Sequence, residues 1–268
     1  MRKTSKIYTA LVFIFLYAPI LIMIVYSFNS SNSTGVFTGF SLKWYGELFR
    51  NGETIEALRN TLILAVLSSV IATVMGTTAS VGIHSMKRKW VKNLTMNVTN
   101  IPMMNPDIVT GISLMLLFVF GGVLLNISGV LSFWTLLIAH ITFNLPYVIL
   151  SVLPKLGQVD KHLPEAAEDL GCTPLQSFFK VVLPSIIPGV ATGLIMSFTL
   201  SLDDFVISYF NVGPKFQTLP IRIFAMTKKR VTPDIYALSA IIFVTILVLL
   251  ILINLSQKKS EREDKHRR

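Results

Sequence analysis

Charge is scarce in this chain of 268 residues: Asp, Glu, Lys and Arg make up 14% of it, against 52% hydrophobic residues. Soluble domains carry about a quarter charged residues, so the deficit excludes an ordinary soluble domain and points to lipid as the solvent. Cysteine is nearly missing as well. Cys172 stands alone, which excludes an intramolecular disulfide and a multi-cysteine metal site. No Gly-x4-Gly-Lys-Ser/Thr loop occurs, so the chain is expected to hold no nucleotide of its own. Neither a His-Glu-x-x-His metal motif nor a Gly-x-Ser-x-Gly elbow is present. Catalytic, cofactor and metal residues are therefore all expected to be none. No repeat stands out at a fixed period, and with it goes the inverted-repeat signature of many secondary transporters.

What is present is hydrophobic length. Mean hydropathy is +0.64. The net charge of +10 could suggest nucleic acid, but the basic residues sit in short clusters beside apolar runs. Arg2-Lys3, Lys87-Arg88-Lys89, Lys258-Lys259 and Arg267-Arg268 are such clusters, a topology signal rather than a nucleic-acid footprint. Six runs approach or exceed the roughly 20 residues that cross a bilayer as a helix. They cover about 7–28, 60–83, 106–123, 130–153, 186–210 and 235–255. The expected fold is an all-α membrane protein with six transmembrane helices in a single domain. The first run follows Arg2, Lys3 and Lys6 and is too long for a signal-peptide core, so it reads as an uncleaved span. Of the 24 Lys and Arg, 16 fall on the side that holds both termini and the 84–105 and 154–185 loops, which makes that side cytoplasmic. Lys228, Lys229 and Arg230 are the exception, lying on the outer side. Trp44 and Tyr45, in the first outer loop, suit a membrane interface or a partner contact. The tail 256–268 reads as a solvated charged run.

Between the fourth and fifth runs lies a polar island, EAAEDLGCTPLQSFFKVVLP, from Glu165 to Pro184. Glu165–Leu170 is helix-competent, and Gly171 is placed to end that helix in a left-handed turn. Pro174 can open a second short helix that runs to Val182 and is stopped by Pro184. An ordered helix–turn–helix over 160–185, on the cytoplasmic side, predicts a docking surface.

Inside the spans there is no Lys or Arg but there are three acids: Asp107 near the inner end of the third, Asp203 and Asp204 in the outer part of the fifth. Ionisable groups at membrane depth are costly unless they face a cavity, and acids without bases favour a cationic passenger. The alternative is a helix cap at Asp107, after Asn105-Pro106, and a wet helix end at the pair. Ser197, Ser201, Asp204 and Ser208 recur at helical spacing along one face, so Asp204 is the first choice to line a pathway, with Asp203 about 100° away; the serines by themselves read equally as packing residues. Ser69, Thr73, Gly76 and Ser80 in the second span read as a close-packing face. Pro146 frees a backbone carbonyl in the fourth span, and Asn144 or His140 could satisfy it or face a polar channel. A lone His there reads as structural.

Glu165, Ala166, Ala167, Gly171, Val181, Leu183 and Pro184 stand at the spacing of the EAA loop, and on these residues the chain resembles the permeases of binding-protein-dependent ABC importers. The resemblance implies a type I permease whose loop docks into an ATPase subunit, and it gives the docking role to Glu165, Ala166, Ala167, Asp169, Gly171 and Pro184. A broader set, YAPILIMIVYSFN, GFSLKWY, NPDIVTGISL, AHITFNLPYV, FTLSLDDFVISYF, GPKFQTLP and VTPDIYAL, resembles the second permease subunit of spermidine/putrescine importers. This implies a bacterial inner-membrane complex with a second permease, a pair of ATPase subunits that bind the ATP, and an extracytoplasmic polyamine-binding protein. Its substrate pathway would use Asp204, Asp203, Asp107, Ser201 and Ser197. Related permeases for ferric ion or thiamine are the alternative, and a secondary cation transporter using Asp204 or Asp107 as an ion site is a more distant one.

Overall fold

The computed structural model describes residues 3–31, 36–160, 162–229, 234–245 and 247–248. Among them the fold is helical, with an isolated bridge between Asn29 and Phe40 as the β-type pairing. Five helices are long and apolar enough to cross a membrane. They are α1 (Lys3–Tyr26), α3 (Gly52–Ser85), α5 (Asp107–Leu124), α6 (Phe133–Leu156) and α9 (Leu183–Asp203), the last preceded by helical turns from Pro174. Shorter helices are α2 (Lys43–Arg50), α4 (Lys89–Met104), α7 (His162–Asp169), α8 (Pro174–Ser177), α10 (Val206–Asn211) and α11 (Leu219–Lys229). The sixth expected span begins as α12 (Asp234–Thr245), and most of its remainder to 255 lies outside the described residues, as does the 256–268 tail.

The chain divides into two compact units, residues 1–56 with 222–268, and residues 57–221. In the first, α1 buries none of its apolar window, as befits a helix whose surface acyl chains or a partner would cover. The segment after it folds back on itself. Trp44 Nε1 donates to the Asn29 carbonyl at 2.7 Å, and the Ser27 and Tyr45 hydroxyls meet at 2.7 Å. Trp44 is buried by this, so it anchors the loop rather than offering itself to an interface. Arg222 pairs with Glu53 at 2.6 Å.

The second unit is built around α6, which packs most extensively on α9. Val148 of α6 is fully buried between two glycines. A Cβ on Gly76 of α3 would stand 2.6 Å from Val148 Cγ1, and one on Gly193 of α9 would stand 3.2 Å from Val148 Cα. Ser69, Thr73 and Ser80 are buried on α3 too, so the expected packing face is a packing face. Close approach of this kind supplies the dispersion that replaces the hydrophobic effect between helices in lipid.

Three boundaries differ from expectation. The helix α3 starts eight residues before 60, because Glu53, Glu56 and Arg59 form a polar end that hydropathy does not register. The 84–105 segment is not a plain loop. Trp90, Leu94, Val98 and Ile101 recur every three or four residues and form α4, a helix too polar to be counted as a span. The fifth span, expected as one helix over 186–210, breaks after Asp203.

Candidate functional site

The polar island folds as a capped pair of short helices. In α7, Cys172 N–H bonds the Ala167 carbonyl at 3.0 Å and Gly171 N–H bonds the Glu168 carbonyl at 2.9 Å. With Gly171 at φ +91°, these are the two bonds of a Schellman termination, which a residue without Cβ adopts at least cost. Thr173 then starts α8 through a capping box: its hydroxyl accepts from Gln176 N–H at 3.3 Å, and Gln176 Oε1 accepts from Thr173 N–H at 3.1 Å. Buried Ser177 donates to the Pro164 carbonyl at 3.2 Å and ties the two helices together, with Ala167 buried beneath. What remains outside is apolar and acidic. Leu170 is 88% exposed, and Leu163, Leu175, Phe179, Glu165, Ala166 and Asp169 are exposed beside it.

Pro184 does not stop the second helix. The turn Phe178–Val182 is π-helical, with Leu183 N–H reaching the Phe178 carbonyl, and the chain continues helically through Pro184 to Asp203. A wider turn just before a proline shifts the carbonyl register, so the missing N–H and the bulky ring are accommodated. The pair of short helices is thereby joined to α9 without an intervening loop.

Around the break in the fifth span a buried polar network forms. Asp204 has extended backbone (φ −63°, ψ 121°) and its carboxylate accepts the Ile207 N–H at 3.1 Å and the Ser208 N–H at 2.7 Å, capping α10. His140 spans the break: Nδ1 lies 3.1 Å from Ser201 Oγ before it, and Nε2 lies 3.1 Å from Ser208 Oγ and 3.5 Å from Asp204 Oδ2 after it. Asn144 Nδ2 donates to Ser201 Oγ at 2.7 Å, and the Ser68 hydroxyl of α3 is 2.9 Å from the same oxygen. Asn211 Nδ2 donates to the Gly111 carbonyl of α5 at 3.1 Å. Three helices, α3, α5 and α6, are thus pinned to the broken α9–α10 segment by their polar groups.

This arrangement re-sorts the residues named from sequence. Ser197, Ser201 and Ser208 are buried between helices, so their stripe is an internal seam in this chain. The Asp204 side chain is 7% exposed, whereas Asp203 next to it is exposed. Asn144 and His140 do not turn back to satisfy the carbonyl freed by Pro146; they reach across to Ser201 and Ser208. Asp107 is exposed in the first turn of α5 and makes no side-chain cap. It is not far from the pair, as its place at the inner end of a span would have it: α5 packs on α10, and a Cβ on Gly111, one turn after Asp107, would stand 3.4 Å from the Val206 carbonyl. Before α5 begins, α4 borders α6 from Thr142 to Ile149. The sequence names His140 and Asn144 as polar residues of the fourth span; their pairing with Ser201 and Ser208 across helices becomes visible only once the helices are packed.

Residues 68–263 match the family described as binding-protein-dependent transport system inner membrane component. The chain belongs to that family. It is therefore a multi-pass bacterial inner-membrane permease of the ABC importer type. It is similar to the spermidine/putrescine transport system permease protein PotC of Escherichia coli K12, with 40% identity over 90% of this chain and 88% of that one. The putrescine transport system permease protein PotI of the same organism is 39% identical over 86% of this permease and 82% of its own length. PotC of Haemophilus influenzae is 37% identical over 93% and 94%. Among solved structures, a bacterial ABC transporter that imports the acidic polysaccharide alginate superposes with a TM-score of 0.74, covering 96% of this chain and 94% of that chain. At 16% identity it establishes the all-α permease fold.

Proposed function

We propose that this chain is one of two permease subunits of an ATP-driven polyamine importer, taking spermidine, putrescine or both. The observation that carries the reading is the placement of Asp107, Asp203 and Asp204 about a broken span where the start of α5 packs on α10, in a chain whose expected spans hold no Lys or Arg. Moving an ammonium out of water costs several kcal/mol. A carboxylate about 4 Å away returns on the order of 4 kcal/mol at a protein-like dielectric, so two or three acids in series offset passage without trapping the ion. Asp203 and Asp107, both exposed, face the pathway at the junction with the second permease. Asp204 and Ser201 hold the break that presents them, and Ser197 lies in the seam below.

Coupling runs through the helical pair at 160–185. Glu165, Ala166, Ala167, Asp169 and Gly171, with Leu170 at the tip, dock in a cleft of a separate ATPase dimer that binds ATP and Mg²⁺. Pro184 marks the point where that pair passes into α9, so a tilt of the docked pair is carried as a rigid helix to Asp203. An extracytoplasmic polyamine-binding protein delivers the cargo, and both termini lie in the cytoplasm. The substrate is tested by reconstituting the four kinds of subunit and measuring ATP-dependent uptake of labelled spermidine against excess putrescine, thiamine and ferric ion. Competition by putrescine alone is expected. Uptake blocked by thiamine or ferric ion instead would remove the polyamine assignment and leave the permease assignment standing.

A further inference from the structure

We propose that the groove between α4 and α6 is a binding site for one anionic phospholipid, its acyl chain along the groove and its phosphate on Arg88 and Lys92. The groove encloses about 430 Å³ and is bordered by Leu94, Val98 and Pro102 of α4 and by Leu145, Pro146 and Ile149 of α6. Thr95, Thr99 and Thr142 also border it, yet each hydroxyl is already spent. They donate to the carbonyls of Val91, Thr95 and Ile138 at 2.9, 2.9 and 2.8 Å, so each hydroxyl proton is used within its own helix. The lining is therefore apolar in effect, unsuited to a polycation and suited to a hydrocarbon chain. From Leu94 to Pro102 it runs about 12 Å along α4.

The polar half of the ligand follows from the same helix face. Thr95, Val98, Thr99 and Pro102 recur at three or four residues, and stepping back by the same interval leads to Lys92, with Arg88 in extended backbone at the N-terminal end of the helix. Lys87, Arg88, Lys89 and Lys92 make no ion pair among the described residues, and Trp90 between them is 74% exposed. Basic side chains beside an exposed indole, at the mouth of an apolar slot, match a headgroup zone with a chain below it. The site rests on the inward placement of Lys87–Lys89 proposed above and is independent of which substrate is carried.

The assembled transporter is placed in nanodiscs of phosphatidylcholine with increasing phosphatidylglycerol, and the lipids it retains are counted by native mass spectrometry. One tightly held phosphatidylglycerol is expected. Arg88→Gln with Lys92→Gln should weaken its retention roughly 30-fold, about fivefold per charge removed. Val98→Trp, which fills the slot, should abolish it, and Lys43→Gln should leave it unchanged. If the double variant does not assemble, raised salt applied to the wild type should strip phosphatidylglycerol and spare phosphatidylcholine. Displacement by free glycerophosphate alone would reduce the site to an anion site and overturn the lipid claim. Equal retention in all variants would overturn it too. So would efficient disulfide cross-linking of Val98→Cys to the second permease, since protein would then fill the groove.

Discussion

A carboxylate that accepts two backbone N–H groups is tied to a helix end, and Asp204 is tied in this way to α10. Its neighbour Asp203 ends α9 and is exposed, with no such obligation. The two acids should therefore separate experimentally. Asp203→Asn is expected to lower polyamine uptake severalfold while the subunit's abundance and melting temperature stay at wild-type values. Asp204→Ala should cost about 1–2 kcal/mol in stability, the usual penalty for a lost N-cap, and Asp204→Asn should restore most of it because one oxygen still accepts. A stable, fully active Asp204→Ala protein would show that the break needs no cap. His140 gives a further test, because its ring joins Ser201 to Ser208 and is wholly buried. His140→Leu removes the side chain that joins the two sides of the break and should destabilise by about 1–3 kcal/mol, with His140→Gln recovering part of the loss by thermal melting in detergent. Sequence pattern reached the serine stripe and the acids through their 3.6-residue spacing. It could not reveal that the stripe faces inward, since helical spacing names a face and not what covers it.

At the scale of elements, the helical pair at 160–185 is the most legible part of the chain. Gly171, Pro174 and Thr173 carry local instructions that act through backbone geometry, and the fold follows them at φ +91° and in a complete capping box. Gly171→Val forces a branched residue into the left-handed region and should cost about 1–2 kcal/mol, loosening the pair. Leu170→Asp alters nothing inside the fold, since the side chain is 88% exposed. It should lower co-purification of the ATPase at least tenfold while leaving the permease pair assembled; unchanged co-purification would move the docking surface elsewhere. Pro184 does not end the helix as expected because a proline's veto on helix is local, and the π-turn ending two residues earlier at Val182 lifts it. The helix α4 was missed because hydropathy averages hide an amphipathic helix with Lys89, Lys92 and three asparagines.

At the scale of the whole molecule, long apolar runs announced the membrane and five of the spans directly, because helices in lipid must satisfy their own backbone. The break after Asp203 was not announced. Asp-Asp-Phe has no proline or glycine to mark it, and the break exists because α6, α3 and α5 supply partners for the side chains that hold it. Gly76 and Gly193, each closed by Val148, show how tightly the second unit is drawn together. Gly76→Leu should overpack this junction and lower the melting temperature, at a cost of about 1–3 kcal/mol. The central claim is that ATP spent at the docking pair moves a polyamine past the acids at the broken span. Accumulation of labelled spermidine in proteoliposomes, measured with the complete set of subunits and the binding protein, tests it most directly. Accumulation is expected with ATP, none with a non-hydrolysable analogue, and hydrolysis without accumulation in Asp203→Asn. Accumulation that follows an ion gradient, ignores ATP and proceeds with this chain alone would contradict the account.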